Sequence, residues 1–166
     1  MGLQIEYSLV ERTVERELIP MAQALHLGVT AWSPLSGGIL TGKYHGHGSA
    51  EGGRMSSETM KEFVPEAKRI EPIVAAVRSI ANQTGRSMAQ VALAWLRHRS
   101  VPVIPIIGAR KLMQLKDNLA SLELSLGPDQ LKILDGASCI DLGFPQEIFT
   151  RELTRGLRSM ADKIIA

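Results

Sequence analysis

The sequence predicts an α/β chain whose helices return each strand to a parallel sheet, and three observations carry that expectation. Leu3, Ile5 and Tyr7 alternate with Gln4 and Glu6, the period-two signature of a strand. A helical pattern then leads into a second short apolar strand, Gly28-Val29-Thr30-Ala31-Trp32, and strand, helix, strand order implies a right-handed crossover between parallel strands. Further along, Val101-Pro102-Val103-Ile104-Pro105-Ile106-Ile107 reads as a strand buried on both faces, its prolines marking the ends.

The helices follow from spacing and caps. Thr13 reads as an N-cap with Glu15 and Glu17 in the favourable first turn, and Leu18, Met21, Ala22 and Leu25 recur at helical spacing, with Pro20 tolerable only near the start or at a kink. Ile70, Ile73, Val74, Val77, Ile80 and Ala81 make a 3.6-period stripe ending near Thr84-Gly85. Ser87-Met88-Ala89-Gln90 is a capping-box pattern opening a helix with Met88, Val91, Ala92, Trp95 and Leu96 on one side. Trp95 among aliphatics belongs to the core, and His98 in the basic last turn complements the helix dipole. Beyond the third strand, Leu112, Leu115, Leu119 and Leu122 form a core-facing stripe, with Gln114, Asp117 and Asn118 on another side. Two more helices are expected, one opening at Gly127-Pro128-Asp129 and one carrying Leu153, Leu157, Met160 and Ile164.

Ala31-Trp32-Ser33-Pro34-Leu35-Ser36-Gly37-Gly38-Ile39-Leu40-Thr41-Gly42-Lys43-Tyr44 is the stretch with chemistry. Pro34 breaks the strand, so a loop begins at its carboxyl end. Glycines let backbone approach a ligand, Lys43 brings charge and Trp32 a flat face. Gly108-Ala109-Arg110 offers a second anion site, where a helix begins and Arg110 adds a full charge. His45 and His47 invite a metal, but no further ligand follows at the right spacing, so they read as part of a solvated glycine-rich loop.

Trp32-Ser33-Pro34-Leu35 followed by Leu40-Thr41-Gly42-Lys43-Tyr44 resembles the loop after the seventh strand of the aldo/keto reductases. Pro105 to Arg110 with Gln114, Asp117, Asn118 and Leu119 resembles that family's eighth strand and following helix, and Gln4-Ile5-Glu6-Tyr7-Ser8-Leu9 its sixth strand. The likeness runs from about Gln4 to Phe144. It implies a partial (β/α)8 barrel of about three parallel strands with flanking helices, residues 1–166 forming one segment equivalent to the C-terminal half of such a domain. It also implies NADP(H) as cofactor, an aldehyde or ketone as substrate, and cofactor contacts from Gln4, Trp32, Ser33, Pro34, Leu35, Gly37, Lys43, Arg54, Gly108, Arg110, Gln114, Asp117 and Asn118. Read without the family, Gln4 is a solvent-facing glutamine and the polar set on the helix after the third strand is merely wet. Gly108 and Ala109 stand where some members place a lysine or serine, which leaves Arg110 as the candidate for the 2′-phosphate. The family's Asp, Tyr, Lys and His tetrad lies on the first half of the barrel, and none of its motifs occurs here, so no catalytic residue is assigned and the chain is expected to be inactive alone.

At 166 residues, 45% apolar, 22% charged and formally +2, the chain suits one ordinary core and excludes a nucleic-acid binder, a disordered tail or a membrane protein. A whole barrel needs roughly 250 residues. Cys139 is alone, and Met1 to Glu6 lacks a signal pattern, so the expectation is cytoplasmic. Two other readings stand beside the reductase. Gly37 to Tyr44 nearly spells a phosphate loop, but Tyr44 stands where the magnesium-binding hydroxyl should be. Alternatively the chain is a non-catalytic interaction or regulatory remnant, its exposed sheet edges recruiting a second copy or an N-terminal half.

Overall fold

The computed structural model describes residues 2–44, 66–144 and 146–150. Three strands, β1 (Gly2–Glu6), β2 (Gly28–Trp32) and β3 (Val103–Pro105), form one parallel sheet in chain order. Its register pairs Gln4 with Thr30 and Glu6 with Trp32, then Val29 with Val103 and Ala31 with Pro105. Among the described residues six α-helices accompany it: α1 (Leu18–Ala24), α2 (Ala67–Thr84), α3 (Met88–Arg97), α4 (Leu112–Ala120), α5 (Pro128–Ala137) and the short α6 (Gln146–Thr150). The predicted parallel α/β architecture, a piece of a barrel wall, is therefore what the chain adopts.

Side-chain alternation splits the sheet into unlike faces. Ile5, Val29, Ala31 and Val103 are buried against the helices, whereas Gln4 and Trp32 are exposed and Ile104 keeps 64% of its surface open. The expectation that β3 is buried on both faces is thus corrected. A parallel sheet normally carries a layer on each side, and among the described residues only one layer is present.

Most helices follow their sequence signals. All six residues of the α2 stripe are buried, and Gly85 ends the helix with φ 64°, a left-handed cap that glycine adopts without a Cβ penalty. Every residue from Ala89 to Leu96 of α3 is buried, which makes it the hub of the core. Its Ser87 cap accepts the Gln90 N–H at 3.1 Å, but the Gln90 amide donates to Asp117 instead of closing the expected box.

Three local expectations fail. Thr13 to Glu15 form a 3-10 turn, and the helix proper starts at Leu18, with Pro20 in its first turn, where a missing N–H is harmless. Its buried residues are Ile19 and Ala22, while Met21 and Leu25 are exposed. On α4 and the 3-10 turn after it the apolar stripe faces outward: Leu112, Leu115, Leu119 and Leu122 are all exposed, and the side packed toward α3 carries Asp117 and buried Asn118. The Ser87 hydroxyl and Gln90 amide, 2.8 and 2.6 Å from the Asp117 carboxylate, pin that side inward. The helix expected at Leu153 to Ile164, the pair His45 and His47, and Arg54 lie outside the described residues.

A buried polar knot joins the segment that follows β1 to α3 and α5. Trp95, fully buried, donates its indole N–H to Asp135 at 2.9 Å, meets Tyr7 edge-on at 5.5 Å, and lies between the guanidinium groups of Arg12 (5.2 Å) and Arg99 (4.1 Å). Arg12 donates to both Glu15 oxygens, at 2.9 and 2.8 Å, to the Asp135 carbonyl and to the Ser138 hydroxyl. Burial opposes the Arg12 charge, but Glu15, then Asp135 and Tyr7, outweigh it and hold its pKa above the ordinary value.

Candidate functional site at the carboxyl ends of the strands

Because the strands are parallel, their following loops emerge at one end of the sheet. The Tyr7–Glu11 turn, the Ser33–Tyr44 loop and the Ile106–Lys111 segment share that end, and the Ile106 N–H donates to the Ala31 carbonyl at 2.8 Å. Trp32 and the approach to Arg110 therefore lie at the tips of neighbouring strands. A shared cleft for one ligand requires that arrangement.

The Ser33–Tyr44 loop is held in an unusual conformation. Ser33 and Ser36 have φ of 50° and 46°, values rare for a residue with a side chain, and Gly37, Gly38 and Gly42 are also positive. Ser36 is tied down by Ser8, whose buried hydroxyl lies 3.0 Å from the Ser36 hydroxyl while accepting the Val10 and Glu11 N–H groups at 3.2 and 3.1 Å. Strained backbone of this kind concentrates at binding sites. Two glycines serve the chain's own packing: a Cβ on Gly38 would lie 2.4 Å from the Lys43 stem, and one on Gly42 2.6 Å from the Met88 sulfur. Lys43 itself is folded back over Gly38, its ammonium 4.8 Å from the Tyr44 ring and exposed to solvent.

Of the residues singled out in the sequence, Gln4 and Trp32 are exposed on the open face, with Ser33, Leu35 and Gly37 half-buried beside them and Pro34 buried beneath. Gly108 and Arg110 are exposed after β3. The start of α4 is not bare, however. The Gln114 side-chain oxygen accepts the N–H groups of Arg110 and Lys111 at 2.9 and 3.2 Å, so these donors, expected to face an anion, are capped by the chain's own amide. Asp117 is engaged by Ser87 and Gln90, and Asn118 is 6% exposed. The cationic side chains at this entrance are Arg110 and Lys111, both exposed.

Neither tyrosine is placed as a proton donor for a ligand on the open face. The Tyr7 hydroxyl donates to Glu15 at 2.6 Å, and burial first, then that hydrogen bond, raises its pKa far above the usual phenol value. The Tyr44 hydroxyl lies 3.4 Å from the Gly37 carbonyl. Among the described residues no group of three metal-ligating side chains converges, and no helix is long and apolar enough to cross a membrane.

Sequence reasoning passed over Glu6, Ser8 and Ser36. The alternation that singled out Gln4 also puts Glu6 on the open face, beside Trp32. Burial first, and the Glu11 charge second, raise the Glu6 pKa above the ordinary carboxylate value. A carboxyl whose pKa is higher folded than unfolded favours the fold when protonated. That contribution is complete below the unfolded value of about 4.3 and disappears as pH rises through the folded one. Glu6→Gln is therefore expected to raise the urea midpoint above wild type at pH 7 and to match it near pH 3.5; a lower midpoint at pH 7 would contradict the assignment.

Comparison with known proteins follows the same lines. The model of the aldo/keto reductase family matches residues 2–138. The uncharacterised oxidoreductase YrpG of Bacillus subtilis is 39% identical over 139 residues, which is 81% of this chain and 40% of that protein. A Saccharomyces cerevisiae protein named as an aryl-alcohol dehydrogenase is 30% identical over 149 residues, 87% of this chain and 39% of its own length. The crystal structure of the thermostable aldo-keto reductase Tm1743, solved with the inhibitor epalrestat, superposes with a TM-score of 0.56 at 23% identity, over 81% of this chain and 38% of that one, a likeness of fold. The chain thus spans about two fifths of the length of these relatives.

Proposed function

The chain belongs to the aldo/keto reductase family, and from that membership we propose that it is the cofactor-gripping segment of an NADP(H)-dependent carbonyl reductase, inactive until the rest of a barrel is supplied. One observation carries this: an exposed tryptophan, a strained glycine loop with its lysine, and an arginine-led helix entrance sit at the tips of adjacent parallel strands. Ligands of α/β sheets bind at that end.

When bound, a nicotinamide supplies a hydride. The chain's part is to hold and orient it: Trp32 offers its open face to the ring, Gln4 its amide to the carboxamide, Lys43 and Arg110 their charge to the phosphates, and Ser33, Pro34, Leu35, Gly37 and Gly108 the walls between. The exposed side chains fit that role. Gln114 and Asp117 fit it less well, since both are spent on internal hydrogen bonds, and Asn118 would have to reach the adenosine from a buried position. With both tyrosine hydroxyls engaged internally, the acid that protonates the carbonyl oxygen must come from outside the described residues.

Titration with NADPH, followed by tryptophan-sensitised nicotinamide fluorescence, tests the proposal. Saturable binding is expected, with no NADPH consumed when an aldehyde is added, and Arg110→Ala should weaken NADPH about 10- to 100-fold, the range for a charge-assisted phosphate contact, while sparing NADH. Absence of saturable binding at millimolar cofactor would refute it.

A second reading is favoured by the open sheet face and the exposed leucines of α4: an interaction module completed by another chain. It predicts concentration-dependent elution in size-exclusion chromatography. A monomer at all concentrations counts against it.

A further inference from the structure

We infer that Glu6 sets the redox preference of the cofactor site, its carboxylate favouring the oxidised nicotinamide over the reduced one. The inference rests on the cofactor reading above and adds to it a residue which that reading does not use.

Glu6 is the last residue of β1 and the register partner of Trp32, so both side chains leave the sheet on its open face at the loop end. The Tyr7 N–H donates to the Trp32 carbonyl at 3.4 Å, which keeps the two strand tips side by side. Adjacent strands are about 4.8 Å apart, and a ring stacked on Trp32 lies roughly 3.5 Å above it, the contact distance between carbon atoms. A nicotinamide there would have the Glu6 carboxylate within about 6 Å. Among the described residues no cation or hydrogen-bond donor engages that carboxylate, and its charged neighbour is Glu11, also acidic. Glu11 is itself committed to the Thr13 N–H at 2.8 Å. Among the described residues the negative charge of Glu6 is therefore not neutralised, and it acts on whatever occupies the open face.

The two forms of the cofactor differ in one place. The oxidised ring carries a positive charge and the reduced ring none, while the phosphates are the same in both. Contacts to the phosphates from Lys43 and Arg110 cancel when the two dissociation constants are divided, and the Glu6 term does not. A charge pair about 6 Å apart at a half-buried position shifts that ratio by about three- to tenfold.

The test measures dissociation constants of NADP+ and NADPH for the wild-type chain, Glu6→Gln and Glu6→Asp at pH 8, well on the alkaline side of the ordinary carboxylate range. NADP+ is displaced against NADPH fluorescence or followed by calorimetry. In Glu6→Gln the NADP+ constant should rise about three- to tenfold while the NADPH constant stays within twofold, and Glu6→Asp should recover part of the preference. Loss of both forms in equal proportion, or no change in either, overturns the inference and leaves the cofactor site standing. If the wild-type chain binds neither form, the cofactor reading fails and the inference falls with it.

Discussion

Replacing Arg12 with alanine is expected to destabilise the chain by about 3–5 kcal/mol, the cost of breaking a buried ion pair by removing one partner. Arg12 is 8% exposed and serves three elements at once: it neutralises Glu15, donates to the Asp135 carbonyl and Ser138 hydroxyl on α5, and covers one side of Trp95. Without it, Glu15 would keep its carboxylate in the interior with only the Tyr7 hydroxyl for company. At a urea dependence of about 2 kcal/mol per molar, the midpoint should fall by about 1.5–2.5 M. Arg12→Lys keeps the charge but loses the planar fork that grips both Glu15 oxygens, so it should lie between the two. A fall below about 0.5 M for Arg12→Ala would mean that the knot is held by packing around Trp95 alone.

That knot also marks where sequence reading succeeds and where it stops. Trp95 was legible as core because aliphatics recur around it at helical spacing, and burying an indole is a large local term that tertiary context seldom overrides. Its partners were not legible: Arg12 and Asp135 lie far apart in the chain, and no spacing rule connects them. The strand β2 and the loop after it were legible for a different reason, since Pro34 and the glycines restrict backbone dihedrals whatever the rest of the fold does.

The α4 stripe shows the opposite case. Leu112, Leu115, Leu119 and Leu122 have the periodicity of a core-facing helix, and periodicity names a face that wants cover without saying whether cover is within reach. Here the face left without it is apolar, and the face that packs is chosen by Asp117 meeting Ser87 and Gln90 of α3. The same holds for β3, whose Ile104 reads as interior and stands open. Both apolar faces are open in a chain that spans about two fifths of the length of its relatives. Within the candidate site, residue types were legible but competition for them was not. Gln114 reads as a ligand for adenosine, and its amide oxygen instead accepts the N–H groups of its own helix start.

Trp32→Ala should weaken NADPH binding by about 10- to 100-fold and lower the urea midpoint by only about 0.5 M. The two effects separate because of where the side chain sits. Trp32 is 42% exposed and lies outside the core, so its removal opens no core cavity and should cost about 1 kcal/mol, the span of strand propensity, far below a core truncation. Toward a stacked nicotinamide it offers one whole aromatic face, and stacking plus the apolar area covered amounts to about 1.5–3 kcal/mol. Trp32→Phe retains a flat face and should bind within about threefold of wild type. Ile104→Asn supplies the control, because it changes the same open face in the middle of the neighbouring strand, away from the loop end, and should leave cofactor affinity alone. If Ile104→Asn weakened NADPH as much as Trp32→Ala, the cofactor would be lying along the sheet face instead of across the strand tips, and the assignment of Lys43 and Arg110 to its phosphates would fall with it.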